Sequence, residues 1–155
     1  MNSSFLIKRT ETSDNDFQKL VRELDHELWD ELKEDQATYD QYNKVPNIKT
    51  AIIIHQDEEA VACGCFKEFA EDTVEVKRMF VNKHHRGKGL SKQVLNALEE
   101  WAQQLGYTYA VLETSIHFTT AIALYQTNGY TIIPNYGPYA NLDESVCMRK
   151  KLRDE

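Results

Sequence analysis

The chain has little of what a secreted or membrane-spanning protein needs. No apolar run approaches the ~18 residues of a membrane-crossing helix, and the opening MNSSFLIKRT holds no apolar signal core. A cytoplasmic protein with no membrane partner is expected. Cysteine is scarce: Cys63, Cys65 and Cys147 are the only three. Their number is odd and Cys63-Gly64-Cys65 is not a zinc spacing. They read as small core residues in a reducing compartment, and no metal is expected. Positive charge is also short, with 18 Lys and Arg against 25 Asp and Glu, a net charge of −7. No long basic stripe offsets it, which argues against a nucleic-acid partner. The acidic balance mildly favours a cationic or neutral partner, and a plain solubility surface explains it equally well. No repeat, low-complexity segment or linker interrupts the 155 residues, so they read as one domain long enough to bury a core.

What is present alternates between two periods. FLIKRT (Phe5 to Thr10) reads as a strand. SDND then offers helix caps, and Phe17, Leu20, Val21, Leu24, Leu28 and Leu32 recur at helical spacing. A polar helical stretch over about 35–43 ends before Pro46. TAIIIHQDEEAVACGCFKEF predicts two strands around an acidic turn near Asp57 and Glu58, and DTVEVKRMFV another strand. From Gly89 onward Val94, Leu95, Leu98, Trp101, Ala102 and Leu105 line one helical face, with Lys92, Asn96, Glu99 and Glu100 opposite and Gly106 as the C-cap. YTYAVLETS is a strand, TTAIALYQTN a short helix stopped at Asn128-Gly129, YTIIP a strand, and ESVCMRKKL a last strand at or near an edge. The order predicts an α/β (α+β) fold, a mixed sheet with helices on both faces.

The stretch MFVNKHHRGKGLSKQVL, from Met79 to Leu95, breaks a strand into basic residues and two glycines and then starts a helix. Gly87 and Gly89 allow positive φ or close approach. The helix N-terminus that follows presents unpaired amides, which suits a phosphate. An ordinary strand-to-helix turn with solvated Arg86 and Lys88 is the alternative. A P-loop needs a glycine five before Gly87, and a dinucleotide fingerprint needs a third glycine; both are missing. The turn does follow the carboxyl end of a predicted central strand, where α/β sheets hold ligands.

The stretch resembles the acyl-CoA signature Q/R-x-x-G-x-G/A of the GNAT superfamily of N-acetyltransferases, on His84, His85, Arg86, Gly87, Lys88 and Gly89. His84 departs at the first position. TTAIALYQTNGY resembles the second signature, on Ala121, Ile122, Leu124, Tyr125, Gly129 and Tyr130, with Phe118 where an asparagine is usual. The resemblance extends to the order of elements from end to end and implies a single N-acetyltransferase domain over residues 1–155. Its fold would be a centrally splayed sheet of about seven strands.

It further implies acetyl-CoA as cosubstrate. Amides from Arg86 through Gly87, Lys88, Gly89, Leu90 and Ser91 would hold the pyrophosphate, and Met79, Phe80 and Val81 would pair with pantetheine. Ala121 and Leu124 would border the cofactor, and with Phe118 in place of asparagine that side chain's bond to CoA would be absent or replaced. The Val81 amide would polarise the thioester oxygen, and Tyr125 would be the general acid. Glu75, six residues before Val81, falls where several members of the family place a general base. Period-2 alternation puts it on the face of Val81 unless a bulge intervenes. A surface glutamate paired with Lys77 or Arg78, and a core aromatic at Tyr125, are the plainer readings.

For the acceptor, Tyr136 and Tyr139 flank Gly137-Pro138, a rigid turn that would line a pocket or pack the loop. Tyr39 and, more weakly, Tyr42 are further pocket candidates, and Arg78 suits an acceptor carboxylate. Adjacent His84 and His85 read as solvated, and His26 as a surface residue. Without a Cys-His-Asn or Ser-His-Asp set, direct transfer is expected over a ping-pong route. The expected partner is a small amine, amino-acid-like or polyamine-like. A non-catalytic CoA-binding protein of the same fold is the rival reading. Members of the family are often homodimers, a state the sequence leaves open.

Overall fold

A computed structural model of the chain describes the backbone of residues 5–32 and 47–152, and the side chains of 5–27 and 47–152. The polar stretch over 35–43, with Tyr39 and Tyr42, lies outside the described residues. The elements are β1 (Phe5–Thr10), α1 (Asn15–Leu32), β2 (Ala51–Gln56), β3 (Glu59–Ala70) and β4 (Thr73–Val81). They continue with α2 (Leu90–Gln104), β5 (Tyr109–Ser115), α3 (Thr119–Thr127), β6 (Thr131–Ile133) and β7 (Ser145–Lys151). Single 3-10 turns occupy Lys83–His85 and Gly137–Tyr139. The strands form one sheet in the order β1-β2-β3-β4-β5-β7-β6. β4 and β5 are parallel, joined through the crossover helix that such a pair needs, while β1/β2, β2/β3, β5/β7 and β6/β7 are antiparallel. β7 is therefore next to the edge, which β6 occupies.

Local chemistry explains the boundaries. Asp14 caps α1: its Oδ1 accepts the Asp16 amide at 2.9 Å, and its Oδ2 accepts Thr10 Oγ1 at 2.9 Å and Lys8 Nζ at 3.1 Å. Burial pushes this carboxyl up, but the bonds from Lys8, the Asp16 amide and Thr10 outweigh it and leave it below its ordinary value. Between β2 and β3, Asp57 and Glu58 have φ of 50° and 72°, the paired positive values of a two-residue type I′ hairpin. Gly106, at φ 99°, closes α2, with the Tyr107 amide reaching back to the Ala102 carbonyl at 3.0 Å.

Two expectations for α2 need correcting. Leu105 lies beyond the helix and is 55% exposed, because the C-terminal turn swings it off the apolar face. Glu99 does not face solvent but is 6% exposed, held by Tyr130 Oη at 2.9 Å and Lys150 Nζ at 2.8 Å. Helical periodicity reports where apolar side chains recur, not where a buried carboxylate finds partners.

The chain divides into two compact units, Met1–Phe66 with Lys77–Leu98, and Lys67–Val76 with Glu99–Glu155. In the first, Phe17 and Leu20 of α1 pack with Ala51, Ile53, Cys63, Cys65 and Phe80. Gly64 lies between the two cysteines, so it faces the other side of the strand. There Met79 Sδ, Val94 Cγ1 and Leu98 Cδ1 stand 2.8, 2.8 and 3.0 Å from where its Cβ would be. α1 and α2 therefore cover opposite faces in this unit. All three cysteines are buried, as expected, and none is in a disulfide among the described residues.

In the second unit the β4–β5 ladder consists of three pairs, Thr73↔Tyr109, Val74↔Ala110 and Glu75↔Val111. β5 and β7 pair over the whole length of both strands. Ala110, Leu112 and Met148 are buried between the sheet and its cover.

Candidate active site

The first unit contains the glycine turn. At the end of β4, Asn82 binds in four directions. Its amide donates to the Val61 carbonyl at 2.7 Å and its Nδ2 to Glu23 Oε1 at 2.7 Å. Its Oδ1 accepts from the His84 amide at 3.0 Å and from His85 Nδ1 at 3.2 Å. Arg86 is equally committed: Nε donates to the Val81 carbonyl at 3.0 Å, Nη2 reaches both Glu27 oxygens at 2.7 and 2.8 Å, and the guanidinium lies 5.6 Å from the centre of the Phe80 ring. Arg78 Nη1 donates to Asp25 Oδ1 at 2.7 Å, with its side chain only 9% exposed. Glu23, Asp25 and Glu27 of α1 thus each hold one residue of β4 or the segment after it.

This bracing sets the turn itself. Gly87 and Gly89 have φ of 81° and 78°, values that strain any side-chain-bearing residue, and no atom lies within 4 Å of either absent Cβ. Leu90, 1% exposed, anchors the start of α2, and the Gln93 amide makes the first helical bond to the Gly89 carbonyl at 3.2 Å. Helix geometry leaves the Leu90, Ser91 and Lys92 amides without a carbonyl four residues back. Lys88 is exposed and has no ion pair among the described residues. Open space over two left-handed glycines at the start of a 15-residue helix, beside an uncommitted lysine, fits a diphosphate.

The same unit has a cleft of about 520 Å³, bordered by Thr12, Ser13, Gln18, Arg22, Asn47 and Arg78. Arg78, at φ 60°, is left-handed inside β4. The period-2 count from Glu75 to Val81 assumes extended residues throughout, so it does not assign the two to one face across Arg78.

The second unit carries buried phenols and carboxylates. Tyr125 of α3 is 7% exposed, and its ring meets that of Tyr130 edge to face at 5.8 Å. Burial, with a smaller contribution from Glu113, pushes its phenol up to about 12. Ala121 and Leu124 on the same helix are half-buried. Phe118 starts α3 without a side-chain cap, and the Ser115 hydroxyl instead accepts the His117 amide at 3.1 Å. Gly129, at φ 98°, ends it. Glu75, 5% exposed, accepts the Tyr136 hydroxyl at 2.8 Å. The Tyr136 ring contacts Phe69 at 4.8 Å and Tyr139 at 5.8 Å, both edge to face, and Tyr139 is 1% exposed.

Of the residues singled out from the sequence, the first unit brings together Arg78, Met79, Phe80, Val81, Arg86, Gly87, Lys88, Gly89, Leu90 and Ser91. The second holds Glu75, Ala121, Leu124, Tyr125, Tyr136 and Tyr139. Tyr39 lies outside the described residues. Asn82 was missed, although an asparagine two residues before an amide in need of an acceptor is the pattern of an Asx turn.

A glycine turn feeds a helix at the end of the fourth strand of a mixed seven-stranded sheet, the fold of the acyl-CoA N-acyltransferases. The Acetyltransferase (GNAT) family model matches residues 15–130. The chain belongs to that family, the acyl-CoA-dependent N-acyltransferases. Among its relatives is the IAA acetyltransferase of Azospirillum brasilense, 32% identical over 102 residues, which are 65% of this chain and 67% of that protein. N-acetyltransferase YsnE of Bacillus subtilis, itself uncharacterized, is 34% identical over 63% of this chain and 66% of its own length. The matched stretch thus spans about two thirds of each curated relative. A Klebsiella pneumoniae crystal structure assigned by name to the acyl-CoA N-acyltransferases is 31% identical, covers 97% of this chain and 98% of its own, and superposes with a TM-score of 0.77. The fold alone is shared with the PaiA N-acetyltransferase of Thermoplasma acidophilum, which was solved with coenzyme A: 15% identity, 96% and 99% coverage, TM-score 0.71.

Proposed function

We propose that the chain is a single acetyltransferase domain over 1–155 that moves an acetyl group from acetyl-CoA to the primary amine of a small molecule by direct attack. The observation that carries this reading is the pair of left-handed glycines, open above, at the start of α2. Acetyl-CoA supplies the acyl group as an activated thioester. The amides from Arg86 to Ser91 hold its pyrophosphate, with Lys88 adding charge. Arg86 braces the loop, since its guanidinium is spent on Glu27 and Val81. Met79, Phe80 and Val81 offer strand edge to the pantetheine, and the Val81 amide steadies negative charge on the thioester oxygen. Ala121 and Leu124 border the cofactor.

Two side chains handle protons. Glu75 takes one from the acceptor ammonium, directly or by relay, because an alkyl amine otherwise keeps its proton up to pH ~10. Tyr125 keeps its own proton throughout the neutral range and offers it to the departing sulfur. Its phenol titrates about 12, against ~8.5 for an ordinary thiol. That gap favours a hydrogen bond to the leaving thiolate over complete transfer.

For the acceptor, the cleft beside Arg22, with hydroxyl and amide neighbours and the apolar Phe17 and Val21, supports an amino-acid-like amine over a polyamine, while Arg78 at its border donates to Asp25. Tyr139 shapes the acceptor side through its buried ring. The test is thiol release from acetyl-CoA against a panel of amino acids, polyamines and other amines. Faster release with an amino acid carries the reading. CoA binding with no amine-dependent release leaves a non-catalytic binder instead.

A further inference from the structure

We propose that Tyr136 is the positioning residue for Glu75: its hydroxyl donates to one carboxylate oxygen and fixes where the other one points. The proposal rests on the reading of Glu75 as general base. That step transfers one proton from the acceptor ammonium to the Glu75 carboxylate, while Tyr136 retains its own throughout.

The geometry is local. Glu75 sits at the last pair of the β4–β5 ladder, opposite Val111. Its Oε2 accepts Tyr136 Oη at 2.8 Å. Tyr136 is held from both sides. Before it, Asn135 Nδ2 donates to the Ser145 carbonyl at 2.9 Å and to the Leu142 carbonyl at 3.2 Å, closing the loop on itself. After it, Gly137, at φ 51°, and Pro138 fold the single turn that buries Tyr139 against its ring. Phe69 closes the other side. A phenol between two aromatic edges at 4.8 and 5.8 Å has little rotational freedom, so its O–H is aimed rather than merely available.

The surroundings leave Tyr136 one role. Burial first, and then the Glu75 carboxylate, drive its phenol far above the ordinary value, so at any working pH it only donates. Cys147 on β7 is pushed up to about 11, chiefly by burial, and stays a neutral thiol. Tyr139 from the same loop also acts on the Tyr136 phenol, and Glu113 from β5 acts on the Cys147 thiol. Glu113 accepts the Ser145 hydroxyl at 2.7 Å. A hydrogen bond donated to a carboxylate acts on its charged form, so its loss can be read in the titration of that carboxylate.

The test compares wild type, Tyr136→Phe, Glu75→Gln and the double variant. Carbon-13 NMR of labelled glutamate side chains, with Glu75 assigned by its loss in Glu75→Gln, reads the ionisation midpoint without turnover. In Tyr136→Phe that midpoint is expected to move. With the best amine of the panel, the acid limb of kcat/KM should move with it, while KM for acetyl-CoA stays within two-fold. In the Glu75→Gln background, Tyr136→Phe should change the rate no further. An unmoved Glu75 midpoint in folded Tyr136→Phe overturns the positioning role and leaves the base reading standing. A moved midpoint together with a wild-type acid limb in Glu75→Gln overturns the base reading, and this proposal with it.

Discussion

The two units are built by different means. In the first, the candidate site is made of backbone: two left-handed glycines, the start of a helix and a strand edge, with side chains used as braces. Glu23, Asp25 and Glu27 of α1 hold Asn82, Arg78 and Arg86. In the second, the proposed roles fall to side chains, and the recurring unit is a phenol donating to a carboxylate: Tyr107 to Glu68, Tyr130 to Glu99 and Tyr136 to Glu75. The contrast has a physical reason. A diphosphate needs many donors at fixed spacing, which amides supply without losing rotamer freedom. Moving a proton needs groups whose ionisation is set by their surroundings, which only side chains offer.

The contrast breaks most completely at Gly89. Gly89→Asp puts a carboxylate and a strained φ where the anion must approach, and CoA binding measured by calorimetry should vanish while circular dichroism stays native. Unchanged affinity would remove the backbone cradle from the argument. Next is Tyr125→Phe, which leaves that cradle untouched. It should keep CoA affinity within a few-fold and lower kcat by ~10²-fold, the low end of a proton-donor effect. Wild-type turnover would return Tyr125 to the core.

Glu99→Ala separates structure from chemistry inside the second unit. It strands Lys150 and Tyr130 without their shared acceptor and should cost about 3 kcal/mol in chemical denaturation. Turnover of the folded fraction should not change; a rate loss at full occupancy of the folded state would make the triad part of the site. The smallest effect is at the α1 cap. Asp14→Asn should cost about 1 kcal/mol at neutral pH. Because the folded Asp14 titrates below its ordinary value of 3.8, its contribution is whole above that pH and fades as pH falls through the lower, folded value. Denaturation midpoints of wild type and variant should converge in that acid window and nowhere above it.

Much of this was legible beforehand, and the exceptions share a cause. The strand–helix order, the hairpin at Asp57-Glu58 and the glycine turn follow from periodicity and from residues with unusual backbone freedom, both written locally in the chain. Glu99 was misplaced and Asn82 overlooked because their partners, Tyr130, Lys150, Glu23 and Val61, lie far away in sequence. The left-handed Arg78 is hidden for another reason: an arginine at φ 60° carries no compositional mark, yet it interrupts the count that would place Glu75 on the face of Val81. Tyr136 was recognised as unusual, but its partner was not, since Glu75 stands 61 residues earlier.

Gly64 carries a consequence for how such a protein can vary. With atoms of Met79, Val94 and Leu98 about 3 Å from its absent Cβ, even alanine there must lift α2 off the strand or repack all three neighbours. The height of a helix above a strand is thus set by a residue with no side chain, and Val94 lies one turn from Leu90, where that helix begins beside Gly89. Drift at position 64 would therefore be registered as a displaced helix start. The proposed grip on a cofactor could change in this way without a substitution in the loop.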